Sequence, residues 1–528
     1  MWAFIGWWTP SVAGCSATPS AKSLFGSFRL NRVAPATHRQ ERPPGLIGRP
    51  SPGTATYHAA MAQVDGEQRS STQVQRMNNL EYLMWLLEAD PLLTSQFANL
   101  TMLDSVPDID RLRARLDRAA QIVPRLHQWV EEAPARIAAP CWRPDADFHI
   151  DHHFRVTELP AEYRRPGGLE RFACALDQEP LHRDRPLWEF VLITGLDGDR
   201  AAMVQRMDHT VTDGEGGLRM SMAFIDLERD APDPPPVDRA TGSSGGGLPL
   251  GNLLETIGHS TRKRWNWTVS GIGEVVDHVR HPTRLVQTGA EVIDVAGSLA
   301  RQARSVDRRL SPLWTERSQD RSLATTQFPL QRVIDASRSA GVTVNDLFTT
   351  AVVEAAVNLH IDAGTVPTEF RAAVPISTRD GASGGNLFSP TLTILPASPD
   401  LSPEERLHAV AEVMNRAKSE RSVAAMGSLA AGARLMPTTV LTQVGKWVTS
   451  NIDLVLSNLR AAPFDTFMGG ALVEANYPIG PLTGAAVNVT TMSYRGKMDI
   501  GVHTDSAAVD NAKDFTDGIL AAFEALTS

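Results

Sequence analysis

Cysteine is scarce in this chain, and its scarcity argues against two common kinds of site. Only three cysteines occur among 528 residues, at Cys15, Cys141 and Cys174, and no two of them form a CxxC pair. A disulfide framework or a cysteine-rich zinc site needs closely spaced pairs. The sequence therefore predicts neither, and the scarcity fits a cytoplasmic protein.

An excess of positive charge and a long apolar run are also missing. The formal net charge of −9 gives no electrostatic case for nucleic acid as a partner. The best apolar candidate, Met436 to Leu456, is interrupted by Lys446 and Asp453. No segment is therefore predicted to span a bilayer.

The composition is that of a folded protein, with 42% hydrophobic and 21% charged residues, and its length predicts two or more domains. Residues 1–75 are rich in Pro, Gly, Ser, Thr and Arg and lack an amphipathic period, which predicts a disordered extension. Residues 232–324 open with Pro-rich and Gly-rich stretches and continue as arginine-rich amphipathic segments. We interpret these as a linker and a crossover of surface helices, in preference to contact with an anionic membrane or with CoA phosphates.

The two remaining regions, 76–231 and 325–528, each predict mixed α/β structure from their hydrophobic periodicity. The first region predicts helices beginning near Asn79 and Asp108, and strands at Phe148–Val156, Trp188–Leu196 and Ala201–Asp208, followed by a helix at Gly214–Ile225. The second predicts helices at Leu330–Ala340, Val344–Leu359, Glu405–Lys418 and Phe515–Leu526, and antiparallel strands at Asp453–Ser457, Ala486–Tyr494 and Lys497–Val502. We expect two α/β halves of pseudo-duplicated architecture.

The segment around His209 carries the strongest chemical signal. A predicted strand delivers this histidine to its end, and a turn with Asp213 and Gly214 leads into the next helix. Element ends hold side chains rigidly and still let them reach a ligand. A neutral imidazole is also the side chain best tuned to accept a proton near pH 7. On these residues alone, however, a single histidine beside a turn is more often structural.

A resemblance changes that balance. The segment Met207–Gly214 resembles the HHxxxDG motif of the acyltransferase superfamily that includes chloramphenicol acetyltransferase and peptide-synthetase condensation domains. The order of further motifs resembles the bacterial wax ester synthase/diacylglycerol acyltransferase family over roughly residues 79–528. These motifs are Trp142–Pro160, Pro180–Glu189 with its Pro-Leu-Trp region, Val342–Asp346 with an Asn-Asp pair, Val374–Arg379, Gly385–Phe388 and Ser457–Asn458.

The resemblance implies two chloramphenicol-acetyltransferase-like domains and a role for each matching residue. His209 would be the general base that takes a proton from an acceptor hydroxyl, while Asp213 would shape the turn by pairing with a distant arginine. Our candidate for that arginine is Arg379. Gly214 would permit the tight turn. Asn345 and Asp346 would support the site from the second half.

The implied reaction moves a long-chain acyl group from acyl-CoA to diacylglycerol or a fatty alcohol, giving triacylglycerol or a wax ester. Acyl-CoA would be a co-substrate, with no bound cofactor. Lipid substrates are compatible with peripheral contact at the inner membrane face or a lipid-droplet surface. Two alternatives stay open: an acyltransferase with another acceptor, and a catalytically silent lipid-binding relative.

The chain departs from the family pattern at two positions. Asp208 stands where the first motif histidine is expected, and it could alter the pKa of His209. Ala462 stands before Pro463, where family members usually have glycine. Both departures leave room for a specialised or inactive member.

A histidine-rich stretch suggests a metal site at first sight. On the predicted strand, His149, Asp151 and His153 would share one face. No second cluster of ligands completes a zinc or iron site, so we predict that no metal binds there.

Overall fold

The computed structural model describes residues 75–133, 139–212, 220–233, 309–375, 390–419 and 438–528. The predicted extension 1–75 lies outside these ranges except for its last residue, and so does most of the predicted linker and crossover. Asp213, Gly214 and Arg379 lie outside them as well. The predicted domain boundaries stay a prediction.

The described residues contain both helices and strands. The helices are α1 (Asn79–Leu87), α2 (Ile109–Ile122), α3 (Gly168–Gln178), α4 (Leu330–Ala340), α5 (Val344–Asp362), α6 (Pro403–Ser419), α7 (Thr438–Thr449) and α8 (Ala512–Leu526). The strands are β1 (Gln96–Leu103), β2 (Gln128–Glu131), β3 (Cys141–Pro144), β4 (Phe154–Glu158), β5 (Trp188–Thr194), β6 (Ala201–Asp208), β7 (Arg321–Pro329), β8 (Glu369–Pro375), β9 (Pro390–Pro396), β10 (Leu454–Arg460), β11 (Phe467–Met468), β12 (Ala471–Ile479), β13 (Val487–Tyr494) and β14 (Lys497–Asp505).

Local capping signals explain why several helices begin where the sequence predicts. Asp108 caps α2 by accepting a hydrogen bond from the backbone N–H of Arg111 at 3.0 Å. Helix α4 has the predicted bounds and ends at Gly341, whose φ of 69° suits a residue without a Cβ. Helix α5 opens with a reciprocal capping box between Thr343 and Asp346.

Two six-stranded sheets form the framework. The first has the order β11-β12-β1-β6-β5-β4, and the second has the order β7-β14-β13-β10-β8-β9. Helices α5, α6 and α8 contribute to the apolar core of the second sheet, while α1 and α2 contribute to the core on one face of the first. Helix α3 covers the other face of the first sheet, together with Leu323 of β7.

Strands β11 and β12 come from the second half of the chain but belong to the first sheet. The sequence does not predict this arrangement. Strand β12 pairs antiparallel with β1, so residues 370 to 381 positions apart, from Leu103 with Val473 to Ala98 with Ile479, are direct neighbours. The backbone N–H of Asn476 in β12 donates to the Asp499 carboxyl group of β14 at 2.7 Å. Gly501 of β14 lies so close to β12 that a Cβ there would fall 1.8 Å from the Pro478 carbonyl oxygen. The two sheets therefore meet along β12.

Two predicted details are wrong. Strand β10 runs parallel to β13 and to β8, so the expected antiparallel pairing holds only between β13 and β14. Residues 150–152 form a single 3₁₀ turn, so only the last part of the predicted strand Phe148–Val156 is extended. The predicted helix Gly214–Ile225 is described only near its end, where residues 220–224 are helical.

Within the described ranges, no single helix has the length and apolar composition to cross a membrane. Helices α4 and α5 meet that test only as a bent pair, with 102° between them.

Candidate active site

His209 lies at the end of an inner strand of the first sheet. It follows directly after β6, a strand paired on one side with β1 and on the other with β5. Every residue of β6 is buried, and His209, the next residue, is mostly buried without being fully enclosed. The predicted bounds of this strand are confirmed. A rigid strand thus ends at a histidine that keeps access to its surroundings.

The side chain of Asp208 closes the turn that holds this histidine. Its Oδ1 accepts a hydrogen bond from the backbone N–H of Thr210 at 2.8 Å and another from the Thr210 hydroxyl at 2.5 Å. The backbone N–H of Val211 donates to the Asp208 carbonyl at 3.0 Å. Aspartate often stabilises turns in this way, by bonding to the backbone two residues ahead. His209 is the residue enclosed by these bonds, so the Asp208 carboxylate fixes its backbone.

The ring of His209 packs against Phe97, with ring centroids 4.4 Å apart and a tilt of 38°. Phe97 is buried in β1 directly opposite Met207 of β6. Burial lowers the pKa of His209 to about 4, and the neighbouring negative charge of Asp208 opposes that shift only in part. At pH 7 the imidazole is therefore neutral and can accept a proton.

A second carboxyl group, from Glu88, reaches the same turn, and the sequence gives no sign of it. Glu88 follows the last residue of α1, and its carboxyl group lies beside that of Asp208. It also accepts hydrogen bonds from the backbone N–H and the hydroxyl of Ser95, and it forms an ion pair with Arg183 at 3.2 Å. Burial and the proximity of Asp208 raise the pKa of Glu88 well above its ordinary value.

The Asn-Asp pair of the second half lies in the first turn of α5. The Asp346 side chain accepts a hydrogen bond from the backbone N–H of Thr343 at 2.9 Å, and the Thr343 hydroxyl accepts one from the Asp346 N–H at 3.2 Å. Asp346 is buried, and its other carboxyl oxygen has no hydrogen-bond partner among the residues that the structure describes. The hydrogen bonds of the Asp346 side chain therefore cap helix α5. The predicted support from Asn345 and Asp346 to the site stays a prediction.

The histidine-rich stretch does not have the geometry expected of it. His149 caps the 3₁₀ turn 150–152, so His149, Asp151 and His153 do not share a strand face. His153 is buried, stacks on Trp188 with centroids 4.7 Å apart, and bonds to the Trp188 carbonyl through Nδ1 at 2.8 Å. Across the described part of the chain, no group of three potential ligands is placed to hold a metal.

Trp188 has a packing role. Its ring is buried in the core of the first sheet, and its indole N–H donates to the Leu126 carbonyl at 2.8 Å.

The chain matches two family models. Residues 71–348 match the wax ester synthase/diacylglycerol acyltransferase catalytic domain, and residues 384–527 match the WS/DGAT C-terminal domain. Together the two matches span well over half of the chain.

Similar proteins occur in Mycobacterium tuberculosis. One that is provisionally named a diacylglycerol O-acyltransferase is 31% identical over 456 residues, covering 84% of this chain and 90% of that protein. A second with the same provisional name is 28% identical over 490 residues, covering 86% of this chain and 97% of that protein.

Solved structures share the fold. The wax ester synthase/diacylglycerol acyltransferase from Marinobacter aquaeolei VT8 superposes with a TM-score of 0.57 at 20% identity, covering 86% of this chain and 98% of that one. A variant of the starter condensation domain of rhizomide synthetase, solved in complex with C8-CoA, gives a TM-score of 0.51 at 15% identity, covering 90% and 96%. These matches confirm the predicted two-domain α/β fold.

Proposed function

The chain belongs to the wax ester synthase/diacylglycerol acyltransferase family, and from that premise we propose that it moves a long-chain acyl group from acyl-CoA to a lipid hydroxyl, with His209 as general base. Family membership makes it an O-acyltransferase. The donor, the acceptor and the roles of individual residues are our proposal. The observation that carries it is the position of His209 directly after β6, within the segment that resembles the HHxxxDG motif.

The proposed reaction is a direct transfer without an acyl-enzyme. An unprotonated ring nitrogen of His209 takes the proton of the acceptor hydroxyl as the hydroxyl oxygen attacks the thioester carbonyl carbon. The tetrahedral intermediate then expels the CoA sulfur, and the imidazolium returns its proton to the thiolate. The products are an ester and CoA–SH, and the histidine ends in its starting state.

The electrostatics around His209 suit the first of these steps. A base must be unprotonated before it can act, and burial keeps this imidazole neutral at pH 7. The negative charge of Asp208 next in the chain favours the imidazolium that forms during attack. Because CoA thiolate is a good leaving group, the reaction makes little demand on a separate general acid.

The substrates follow from the family and from the chemistry. The condensation domain of similar fold binds C8-CoA, and we propose that a longer acyl-CoA is the donor here, with no bound cofactor. Diacylglycerol and fatty alcohols are the proposed acceptors. Because such acceptors reside in membranes, we propose a cytoplasmic protein that works peripherally at the inner membrane face or at a lipid droplet.

The test is an acceptor panel. Purified protein is incubated with labelled palmitoyl-CoA and, separately, diacylglycerol, hexadecanol, a hydroxylated polyketide-like lipid and a long-chain amine, and the products are identified by mass spectrometry. Triacylglycerol or wax ester is the expected product. A product formed only with another acceptor would redirect the proposal to that acceptor.

A catalytically silent relative is the second candidate, because Asp208 replaces the first motif histidine. Binding of palmitoyl-CoA without turnover on any acceptor would support lipid binding in place of catalysis.

A further inference from the structure

Thr210, the residue after the proposed base, is held through its backbone and its side chain. Its backbone N–H and its hydroxyl donate to Asp208 Oδ1 at 2.8 and 2.5 Å, and the residue is only 1% exposed. Its carbonyl oxygen accepts a hydrogen bond from Arg125 Nη1 at 3.2 Å. On the other side of the histidine, Asp208 is fixed by its place in β6, opposite Gln96 of β1. His209 therefore lies between two anchored residues, and Arg125 supplies one of the bonds.

The backbone of Arg125 is itself fixed, by the short 3₁₀ turn Pro124–Leu126 that follows α2. Pro124 begins this turn with a restricted φ angle, and Leu126 is buried in the core of the first sheet. The Leu126 carbonyl accepts a hydrogen bond from the indole N–H of Trp188 at 2.8 Å, which ties the turn to β5. The Arg125 side chain thus starts from a rigid point of the backbone.

Two further contacts orient the guanidinium group of Arg125. Its Cζ lies 4.0 Å from the centroid of the Trp142 ring of β3, and its Nη2 lies 3.4 Å from Oε1 of Glu81 in α1. A guanidinium group has five N–H donors in one plane, so it can stack on a ring, pair with a carboxylate and donate to a carbonyl together. The side chain is only 16% exposed. Arg125 therefore joins α1, β3 and the turn after β6.

We propose that Arg125 is a positioning residue for His209, an inference that rests on the proposed function of His209 as general base. Arg125 holds the Thr210 carbonyl, while Asp208 holds the N–H and the hydroxyl of the same residue. Together these bonds fix the backbone of the histidine, so that its ring keeps its place against Phe97. Because proton transfer requires close alignment, even a small displacement of this base lowers the rate.

The variant Arg125→Met separates the hydrogen bond from the packing of the side chain. Its unbranched apolar side chain still covers the Trp142 ring, but it has no N–H to donate. The buried Thr210 carbonyl then loses its charged donor, a kind of hydrogen bond about twice as strong as a neutral one. A loss of rate in this variant therefore reports the bond to Thr210 more than the packing on Trp142.

The experiment is a double-mutant cycle with wild type, Arg125→Met, Asp208→Ala and the double variant. Arg332→Met is the matched control, because Arg332 of α4 also combines an ion pair, with Glu524 at 2.8 Å, and a ring contact, with Phe328 at 5.1 Å. Both of these partners lie in the second half of the chain. The full-length proteins are assayed for kcat and KM with palmitoyl-CoA and the acceptor that the panel identifies.

A spectroscopic measurement follows the histidine itself. Histidine rings labelled with ¹³C are observed by NMR in the same proteins, with His209→Ala used to assign the signal. The Phe97 ring lies 4.4 Å from the His209 ring, centroid to centroid, so its ring current contributes to the position of that signal. A displaced imidazole therefore gives a displaced signal, and circular dichroism shows whether each variant is folded.

Arg125→Met should lower kcat about 10- to 100-fold and leave KM nearly unchanged, because the base is displaced while the substrates still bind. The double variant should lose about as much as the more damaging single variant, because both side chains act on one turn. The His209 signal should move in Arg125→Met. Arg332→Met should match wild type in both measurements.

A wild-type kcat in folded Arg125→Met would overturn the proposal, and so would a His209 signal that does not move. A double variant whose loss equals the product of the two single losses would also contradict it, because the two side chains would then act independently. Should Arg125→Met fail to fold, Arg125→Lys takes its place with the same two readouts, because an ammonium group lacks the planar set of donors. If wild type transfers no acyl group, the proposed function fails, and the His209 signal alone decides whether Arg125 positions the histidine.

Discussion

Lowering the pH from 7.5 to 5.5 should leave the rate of acyl transfer almost unchanged. Burial lowers the pKa of His209 to about 4, and only the unprotonated imidazole can act as a base. With that pKa, about 97% of the ring is neutral at pH 5.5. An exposed histidine with a pKa of about 6.5 would be only about 10% neutral there. The two cases differ about tenfold in rate.

The assay is kcat/KM for ester formation between pH 4 and 8, which reports the pKa of the free protein. We expect the acid limb to have its midpoint near pH 4 and the rate at pH 5.5 to match that at pH 7.5. A tenfold fall at pH 5.5, with the fold intact, would refute the reasoning, because it would require a base of ordinary pKa.

The control for this experiment is a measurement of whether the protein stays folded at each pH. Burial also lowers the pKa values of His153, His360 and His503 to about 4. The unfolded chain therefore binds more protons than the folded one between pH 6.5 and 4, and stability falls as the pH falls through that window. Each of these histidines contributes at most about 3 kcal/mol to that loss. Circular dichroism in each assay buffer separates unfolding from titration of the base.

Three further predictions concern the framework. Asp346→Ala and Thr343→Ala should each lower the free energy of unfolding by about 1 kcal/mol, since the two residues cap one helix. Because the family resemblance also implies that Asp346 supports the site, kcat should fall in folded Asp346→Ala and stay at the wild-type value in folded Thr343→Ala; equal kcat in the two variants would contradict that support. Arg406→Ala should cost about 3–5 kcal/mol in urea unfolding, because it leaves a buried carboxylate without the partner that now lies 2.7 Å away, and an unchanged midpoint would refute this. Gly501→Ala should cost about 3 kcal/mol or more, because its Cβ would meet the Pro478 carbonyl oxygen; wild-type thermal unfolding would show that the sheets do not meet as described.

Much of the local structure could be predicted because its causes are local. Strand β6 and helix α4 have the predicted bounds, set by a continuous buried run and by a terminal glycine. The pairing of β12 with β1 in the first sheet could not be predicted, because pairing between strands far apart in the sequence depends on tertiary packing. The strand predicted at Phe148–Val156 failed in its first part because His149 accepts a hydrogen bond from the backbone N–H of Asp151 and closes a turn.

The candidate site divides in the same way. His209 and Asp208 were identified by their place in a motif, and the structure lays them side by side at the end of β6. Glu88 was missed because no sequence pattern joins two carboxyl groups 120 residues apart. A buried aspartate predicts hydrogen-bond donors or a cation nearby and not a second carboxyl group, so Asp208 gave no signal for Glu88.

The central claim is that His209 is the base for acyl transfer, and one comparison tests it most directly. Wild type, His209→Ala and His127→Ala are supplied with labelled palmitoyl-CoA and the preferred lipid alcohol, and the initial rate of ester formation is measured. His127 is a partly buried histidine of the same half, whose ring bonds to the Ala120 carbonyl at 2.6 Å. The account predicts a loss of about 10²- to 10⁴-fold in kcat for folded His209→Ala and nearly wild-type rates for His127→Ala. Equal rates of ester formation in wild type and His209→Ala would contradict it.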